Sequence, residues 1–514
     1  MVKKDSRNKV NNIGNNNGVR LCGGSADNKC ALPSVGVSCV PLALLILALI
    51  VVVAVSGAST VQEHAPMILL LAAVAGVTVS LIATPQRSPL LIAKGVVRSA
   101  RQVLPAVPIL LLIGSLSATW MLSGVVPGMI DLGVKLMHPQ WFLPMTCAMC
   151  AVVSIITGSS WTTIATLGVG FMGIGSVLGY SPGWMAGAII SGAYFGDKVS
   201  PLSDTTVLAA SSCGVPLMRH ISNLMWTSLP ALCVALVVFG VASYNHTVVD
   251  GAQSREMVDA LRVTFNMSPW LMAIPALTAV LIVLRVPTVW VLAAGSVAGL
   301  AGMLVIQPQI VDALGGSDLM VALQAMFTGT ELSTGNELLD SLVATGGMMG
   351  MFPTIMLVLS AMVFGGVLIG TGMLESITSK VTGRLRSPRS LVSATCGSGL
   401  FFNSVTGDQY LSIIIGGNVF REAYEDNHVC PTALSRTLED SVSVTSVLIP
   451  WNSCGVTQST VLGVATLSYL PYCVFNLCSP IMTLLLAFAG WKIKSLRREG
   501  SCRLADVPVP VASN

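Results

Sequence analysis

Stretches of about 20 apolar residues recur along this chain and constrain its fold more than any other feature. The first runs from Val35 to Val55, long enough for a helix to cross about 30 Å of hydrocarbon. The mean hydropathy is +0.78 and only 10% of the residues are charged, against about 25% in soluble domains. Because the bilayer core offers no water to backbone polar groups, such segments must be helical. We therefore predict an all-α polytopic membrane protein, embedded in the lipid bilayer.

Gly or Pro interrupts several of the later apolar segments, which continue to residue 489. Interrupted spans of this kind form broken helices and re-entrant hairpins in transporters, so we predict about 11 to 13 crossings with such breaks. The predicted division of the chain is 1–34 as a disordered cytoplasmic tail, 35–84 as N-terminal spans, 104–245 as a first repeat with the ion-site block, 246–306 as connecting spans, 307–352 as an external loop, 353–490 as a second, inverted repeat and 491–514 as a cytoplasmic tail.

The distribution of Lys and Arg predicts the orientation. These residues cluster before the first span, after the second, after the span near 353–372 and at the C-terminus, and cytoplasmic loops collect such charges. Between Arg285 and Lys380 the sequence has no Lys or Arg, whereas several Asp and Glu lie within 307–352. We therefore expect both termini on the cytoplasmic side of the plasma membrane and this loop outside. Nothing in the charge distribution indicates nucleic-acid binding.

Two polar blocks appear in the same order in each half of the chain. "SIITGSSWTTI" (Ser154–Ile164) resembles "NSVTGDQYLSI" (Asn403–Ile413), and "SSCGV" (Ser211–Val215) resembles "NSCGV" (Asn452–Val456). The spans that precede the two blocks start from opposite sides of the membrane in the predicted orientation. This indicates an inverted repeat, as in many secondary transporters. Chance similarity between Gly- and Ser-rich segments is the alternative.

Between the matched blocks each half carries an acidic segment, "GDKVSPLSD" in the first and "LEDSVSVTS" in the second, and a bilayer disfavours such carboxylates. A charge in the hydrocarbon core costs several kcal/mol, so intramembrane carboxylates usually face a cavity or an ion path. The alternative for each is a short loop at the membrane surface, and for Glu439 a helix end with Arg436 as its partner. The candidates are Asp197, Asp204, Asp408, Glu439 and Asp440.

A cation site needs oxygen ligands, and these blocks supply them. Na⁺ exchanges its water for carboxylates, hydroxyls and the carbonyls of unwound helices. Burial favours the protonated form of a carboxylate, so a proton can replace the cation. Gly158 and Gly407, each in a "TG" step, predict helix breaks beside the site. The predicted ion- or substrate-binding residues are Asp197, Asp204, Ser203, Thr205, Ser159, Ser160, Thr162, Asn403, Asp408, Asp440, Asn452 and Ser453, with Na⁺ at Asp197, Asp204 and Asp408.

Other chemistries lack a motif. The sequence contains no Ser-His-Asp pattern, nucleotide-binding loop or zinc motif, which argues against an enzyme and against a cofactor. Cys147 and Cys150 form a C-x-x-C pair, but no second ligand pair follows, so we expect both to pack as small apolar residues.

Five longer segments closely resemble the NhaC family of Na⁺/H⁺ antiporters. They are "SATWMLSGVVPGMI" (Ser117–Ile130), "IITGSSWTTIATLGVGFMGIG" (Ile155–Gly175), "SGAYFGDKVSPLSDTTVLAA" (Ser191–Ala210), "NSVTGDQYLSIIIGGNVFREAY" (Asn403–Tyr424) and "LSRTLEDSVSVTSVLIPWNSCG" (Leu434–Gly455). The resemblance implies a secondary transporter of the ion-transporter superfamily, with inverted repeats and a transport domain that moves against a dimeric scaffold. It therefore implies a homodimer that carries Na⁺ and H⁺.

The leading hypothesis from the sequence is exchange of external H⁺ for internal Na⁺. The family also includes antiporters that exchange malate against lactate with coupled H⁺ and Na⁺, so a small organic acid stays open as a substrate. Helix N-termini at the two "TG" breaks favour an anionic group, and Lys198 or Arg436 could add a positive charge. A channel or a membrane scaffold is the third alternative.

Overall fold

The computed structural model describes residues 32–491, apart from 58–59, 86–87, 137, 246–250, 316–317, 331, 333–339, 341–342, 383–384 and 386. Within these residues the chain is helical, and its only β feature is an isolated bridge between Thr330 and Thr345. The all-α prediction is confirmed for the described part of the chain. The predicted cytoplasmic tails, 1–34 and 491–514, lie almost entirely outside the described residues.

Among the described residues, eleven α-helices and one π-helical segment form the first half. The apolar run predicted as the first span is helical, and Ser34 caps it by accepting a hydrogen bond from the N–H of Val37. The helices are α1 (Val35–Ser56), α2 (Val61–Ala83), α3 (Pro89–Val103), α4 (Ala106–Leu122), α5 (Val125–Leu136), α6 (Phe142–Thr157), α7 (Ser160–Thr163), α8 (Val169–Val177), α9 (Pro182–Val199), α10 (Asp204–Ser212) and α11 (Leu217–Tyr244), with the π segment Ile164–Gly168 between α7 and α8.

The middle of the chain departs from the predicted external loop at 307–352. Its helices are α12 (Gly251–Thr264), α13 (Ala273–Val283), α14 (Thr288–Ile306), α15 (Pro308–Leu314) and α16 (Asp318–Phe327). Helix α16 packs against α4, and its Val321, Ala322 and Ala325 are buried. Much of residues 308–327 is therefore helical, with an apolar helix face beside the acidic residues. The side of the membrane on which this segment lies stays a prediction.

The second half is again built from helices, one of them extended by a π segment. These are α17 (Phe352–Gly370), α18 (Met373–Thr382), α19 (Pro388–Thr406), α20 (Gln409–Asp426), α21 (Pro431–Leu438), α22 (Ser453–Leu462), α23 (Thr466–Tyr469) and α24 (Val474–Ala489), with the π segment Glu439–Ser443 after α21. A π segment shifts the helix register by one residue, which turns the side chains that follow it, and such segments are frequent at functional sites.

Length and apolarity identify candidate membrane spans among the described residues. Seven helical segments pass this test, and the number rises to ten if each of three bent helix pairs is one span. The pairs bend by 57° to 102°, which agrees with the predicted broken helices. The total is lower than the predicted figure of about 11 to 13, because polar side chains on α9, α19 and α20 reduce their hydropathy.

Close packing of α6 against α9 fixes the backbone that carries Asp197. A Cβ atom at Gly192 or Gly196 of α9 would collide with backbone carbonyls of α6, so only glycine permits this approach. Cys147 and Cys150 on α6 are buried and unpaired, as the packing interpretation expects. Since Asp197 follows Gly196 directly, the contact also sets the position of the Asp197 carboxylate.

Both "TG" glycines end a helix in the left-handed conformation. Gly158 ends α6 with φ +68°, and Gly407 ends α19 with φ +67°. A Cβ atom would lie 2.7 Å from the backbone carbon of Leu202 at the first site and 2.7 Å from the Cβ of Ala361 at the second. The predicted helix breaks are confirmed at both glycines, and glycine is required there by conformation and by space.

We expect Gly407→Ala to lower the free energy of unfolding by about 2 kcal/mol or more, because a left-handed alanine costs 1–2 kcal/mol before the clash with Ala361 is added. Gly397→Ala on the same helix is the control, since no atom lies within 4 Å of a Cβ there. The measurement is the thermal midpoint of the purified protein, followed by tryptophan fluorescence. Equal midpoints for the two variants would contradict the assigned geometry.

Candidate functional site

The two "TG" breaks share one hydrogen-bond pattern. In the first half, the hydroxyl of Thr157 accepts from the N–H of Ser159 (3.1 Å), and Ser159 Oγ accepts from the N–H three residues on (3.2 Å). In the second half, the hydroxyl of Thr406 accepts from the N–H of Asp408 (3.2 Å), and Asp408 Oδ1 accepts from the N–H three residues on (2.9 Å). Ser159 and Asp408 are therefore equivalent helix caps, which supports the predicted repeat at this place.

The second pair of matched motifs is not equivalent in the structure. "SSCGV" (Ser211–Val215) ends α10, whereas "NSCGV" begins at Asn452, the N-cap of α22. This part of the predicted alignment is wrong, because similar letters occupy opposite ends of two helices. The counterpart of Asn452 is Ser203, the N-cap of α10. The sequence does carry a signal for this pairing, since Ser203 follows Gly158 at the same spacing at which Asn452 follows Gly407.

In this corrected alignment, the carboxylate lies at the first cap in the second half, whereas in the first half it lies one residue after the second cap. In the second half, Asp408 is the cap, and its Oδ2 accepts from Ser453 Oγ at 3.2 Å. In the first half, the cap is Ser159, and Asp204 occupies the position of Ser453. Both oxygens of Asp408 are thus used within the protein. Its role as a Na⁺ ligand stays a prediction, and it is not among the residues that line the cavity described next.

A cavity of about 670 Å³ lies beside the two breaks and receives side chains from both halves. Asp197 and Asp204 provide its carboxylates, while Trp161 and Tyr410 occupy the position two residues after each cap. The polar and charged lining consists of Thr157, Ser159, Thr162, Asp197, Asp204, Thr205, Arg285, Thr288, Gln409 and Tyr410. Five of these residues belong to the matched blocks Ser154–Ile164 and Asn403–Ile413, and Asp197, Asp204 and Thr205 were predicted as ligands. Arg285 and Thr288 were missed by sequence reasoning.

The two cavity carboxylates differ in their support. Asp197 Oδ2 accepts from both the N–H (3.1 Å) and the Oγ (2.6 Å) of Ser160, so its position is fixed. Asp204 is the first residue of α10 and is exposed to the cavity, without a hydrogen bond or ion pair to any described residue. Both carboxylates line the same cavity, and a cation there would offset part of their combined negative charge.

Four of the predicted hydroxyl ligands form hydrogen-bonded links around these carboxylates. Thr162 Oγ1 donates to Ser159 Oγ at 3.1 Å, and both residues line the cavity. Ser203 Oγ and Thr205 Oγ1 are 3.0 Å apart, and Thr205 Oγ1 donates to Glu439 Oε1 at 3.1 Å. Thr205 therefore has the cavity on one side and the second half of the protein on the other.

The two predicted asparagine ligands hold the backbone of the second half. Asn403 Nδ2 donates to the carbonyl of Val442 at 2.6 Å, inside the π segment, and Asn452 Nδ2 donates to the carbonyl of Asn403 at 3.2 Å. Both are fully buried, and neither lines the cavity. The structure thus places them in the support of the π segment rather than at the cavity surface.

Asp440 forms a buried ion pair with Lys198 and lies away from the cavity lining. Lys198 is 1% exposed and Asp440 0% exposed. Ser479 donates to Asp440 Oδ1 (2.8 Å), Thr227 donates to the same oxygen (3.2 Å), and Thr483 donates to Oδ2. Lys198 pairs with distant Asp440 and not with its neighbour Asp197, so the pairing is a finding of the tertiary structure. The predicted role of Asp440 as an ion ligand stays a prediction.

The position of Glu439 differs from the helix end at the membrane surface that the sequence left open for it. It is fully buried, at the start of the π segment, so a surface position is wrong. Arg436 forms no ion pair with it among the described residues, and instead donates from Nη1 to Asn223 Oδ1 at 3.4 Å. The sequence around Glu439 is rich in Ser and Thr, and no local pattern there marks the residue as buried.

We expect Lys198→Met and Asp440→Asn each to lower the free energy of unfolding by about 3–5 kcal/mol, because each leaves one buried charge without its partner. The double variant should lose much less than the sum of the two. Thermal midpoints of the purified single and double variants form the double-mutant cycle. Losses that simply add would show that the two charges are not coupled.

Comparison with known proteins supports the resemblance seen in the motifs. The chain matches the Na⁺/H⁺ antiporter family over residues 15–211 and 192–491. The Na⁺/H⁺ antiporter NhaC of Alkalihalophilus pseudofirmus is 37% identical over 382 residues, covering 74% of this chain and 81% of that protein. NhaC of Bacillus subtilis is 32% identical over 399 residues, covering 77% and 86%.

A relative named for a different activity matches at a similar level. The malate-2H⁺/Na⁺-lactate antiporter of Bacillus subtilis is 32% identical over 389 residues, covering 75% of this chain and 81% of that protein. The predicted resemblance to NhaC proteins is confirmed by the family match and by the two NhaC relatives. Together with its apolar helices, these matches make this chain an integral membrane protein that belongs to the Na⁺/H⁺ antiporter family.

Proposed function

We propose that this protein is a secondary antiporter that exchanges external H⁺ for internal Na⁺. The observation that carries the proposal is a pair of carboxylates, Asp197 and Asp204, lining one cavity in a member of a Na⁺/H⁺ antiporter family. Each side chain can hold either a proton or a share of a cation. The two ions then compete for one site, which is the requirement for exchange.

In this proposal the carboxylates and the hydroxyls have separate roles. Ser160 holds Asp197 in place, and Asp204 has no hydrogen-bond partner among the described residues, so it is free to bind a cation. Ser159 and Thr162 line the same cavity and supply neutral oxygens, whereas Thr205 donates its hydroxyl hydrogen to Glu439. A small hard cation needs several such oxygens to replace its water shell. Protonation of the carboxylates weakens their hold on Na⁺, so lower pH should weaken Na⁺ binding.

A second candidate is Na⁺- and H⁺-coupled exchange of small carboxylates such as malate and lactate. Two observations favour it. A volume of about 670 Å³ far exceeds the needs of a bare ion and falls in the range of sites for small organic molecules. Arg285 lines the same cavity and has no ion pair among the described residues, so it could bind an anionic group. The malate/lactate antiporter among the relatives points the same way.

The setting of the exchanger is part of the proposal. The clusters of Lys and Arg support cytoplasmic termini in the plasma membrane. The equivalent "TG" networks support two inverted repeats, and the family resemblance supports a homodimer. The protein then acts as a transporter rather than an enzyme, with Na⁺ and H⁺ as its transported ions and no further cofactor.

We expect Asp204→Asn to reduce Na⁺-driven proton flux by about tenfold or more, since loss of ~1.4 kcal/mol of cation binding already changes an equilibrium constant tenfold. The flux is measured in everted membrane vesicles with a pH-sensitive dye after Na⁺ addition. Asp259→Asn is the matched control, because that carboxylate is 68% exposed on α12 and pairs with Arg262 outside the cavity lining.

The same vesicles separate the two candidate functions. Na⁺ alone should drive proton flux in the unsubstituted protein, and malate or lactate should add little. A flux that appears only when Na⁺ is combined with malate or lactate would select the carboxylate exchanger. Full flux in Asp204→Asn would overturn the assigned site.

A further inference from the structure

Glu439 carries a buried oxygen with no hydrogen bond. Its side chain is 0% exposed, and Oε1 accepts from Thr205 Oγ1 at 3.1 Å. Oε2 and the hydroxyl of nearby Ser443 each lack a hydrogen bond of good geometry, although the two groups are close enough to interact. A buried ionised carboxylate normally has several donors or a paired cation, because removal from water costs several kcal/mol. One donor suits a carboxyl group that holds a proton for part of its working cycle.

No described cation is available to neutralise Glu439. The Nζ of Lys198 is bound to Asp440 and Ser479, and Arg436 makes no ion pair with Glu439. Helices α10, α19, α20 and α24 and the end of α21 pack against the π segment that begins at Glu439. The ionisable groups that these elements and neighbouring α9 bring near it are Asp197, Lys198, Cys213, Cys396, Arg421, Arg436 and Asp440.

A chain of hydroxyls joins Glu439 to the cavity. Thr205 lines the cavity and donates to Glu439, while Ser203 Oγ is 3.0 Å from Thr205 Oγ1 and also interacts with Asp197. Each hydroxyl has one hydrogen to donate. When Glu439 is ionised, Ser203 donates to Thr205, which donates to Glu439. When Glu439 is protonated, every donor direction reverses, and Ser203 can donate to Asp197. The chain therefore supports two opposite polarities, as a proton path requires.

We propose that Glu439 is a proton-binding site of the exchange, loaded and emptied through Thr205. This inference rests on the proposed Na⁺/H⁺ exchange. On release, the Oε1–H bond of Glu439 breaks and Thr205 accepts that proton, while its own hydroxyl proton passes to solvent in the cavity. Uptake is the reverse, and no other reactant is needed. A cation beside Asp197 and Asp204 disfavours the proton on Glu439 electrostatically, so Na⁺ binding expels H⁺.

The test compares Glu439→Gln with the unsubstituted full-length protein. Gln keeps the size of Glu and can still accept from Thr205, but it cannot release a proton. Purified protein in weak buffer receives Na⁺ while a dye reports proton release, and calorimetry reports Na⁺ binding. We expect proton release to fall by about half or more and Na⁺-driven flux in vesicles by about tenfold or more. Na⁺ binding and ²²Na⁺/Na⁺ exchange should fall far less.

Variants of Thr205 test the path independently of the carboxyl group. Thr205→Val removes the hydroxyl at nearly constant volume, so Na⁺-driven proton flux should slow severalfold while proton release at equilibrium persists. Thr205→Ser restores a hydroxyl and should recover much of the flux lost in Thr205→Val. Glu425→Gln is the matched control, because that residue lies on α20 with a side chain 43% exposed in a surface ion pair.

Three results overturn the inference. Unchanged proton release and flux in Glu439→Gln would show that Glu439 holds no transported proton. Loss of Na⁺ binding in that variant, with Thr205→Val and Thr205→Ser equal to the unsubstituted protein, would make Glu439 a structural or cation-binding group. An unsubstituted protein without Na⁺-driven proton flux would overturn the proposed function, and this inference with it. Normal flux in the unsubstituted protein and in Glu439→Gln would remove the inference alone.

Discussion

The buried ion pair between Lys198 and Asp440 is the interaction on which the rest of the site depends. It joins the end of α9 in the first half to the π segment in the second, and the hydroxyls of α11 and α24 complete the shell around Asp440. Neither charge could be buried alone, so folding must bring these helices together. The pair places Glu439, one residue before Asp440, against Thr205 and thereby against the cavity wall.

Breaks in membrane helices impose a second constraint, because every freed backbone group needs a partner. Gly158 and Gly407 end their helices in the left-handed conformation, and Ser159 and Asp408 cap the helices that follow. Asn403 satisfies a carbonyl of the π segment. Because of these capping and backbone hydrogen bonds, several polar residues that look like ion ligands in the sequence bind to the protein itself.

The two halves share the same capping structure, but it serves a different purpose in each half. In the second half, Asp408 and Ser453 bond to one another, and their polar atoms are closed off. In the first half, the carboxylate has moved to Asp204, which faces the cavity, and Asp197 stands beside it. A repeat can therefore keep its capping geometry while only one copy presents charge to the transported ion. The proton site inferred at Glu439 would give the second half its own share of the exchange.

The sequence by itself determined the helical membrane class, the two helix breaks, the polar blocks and the family, because apolar length, glycine and capping residues act over a few neighbouring positions. It placed Asp197, Asp204, Ser159, Thr162 and Thr205 in one predicted site, and the structure lines one cavity with all five. Only the tertiary structure decided that Lys198 pairs with Asp440, that Asp408 is a cap and that Glu439 is buried. The ion pair joins residues 242 positions apart, and no local pattern specifies which distant helices meet.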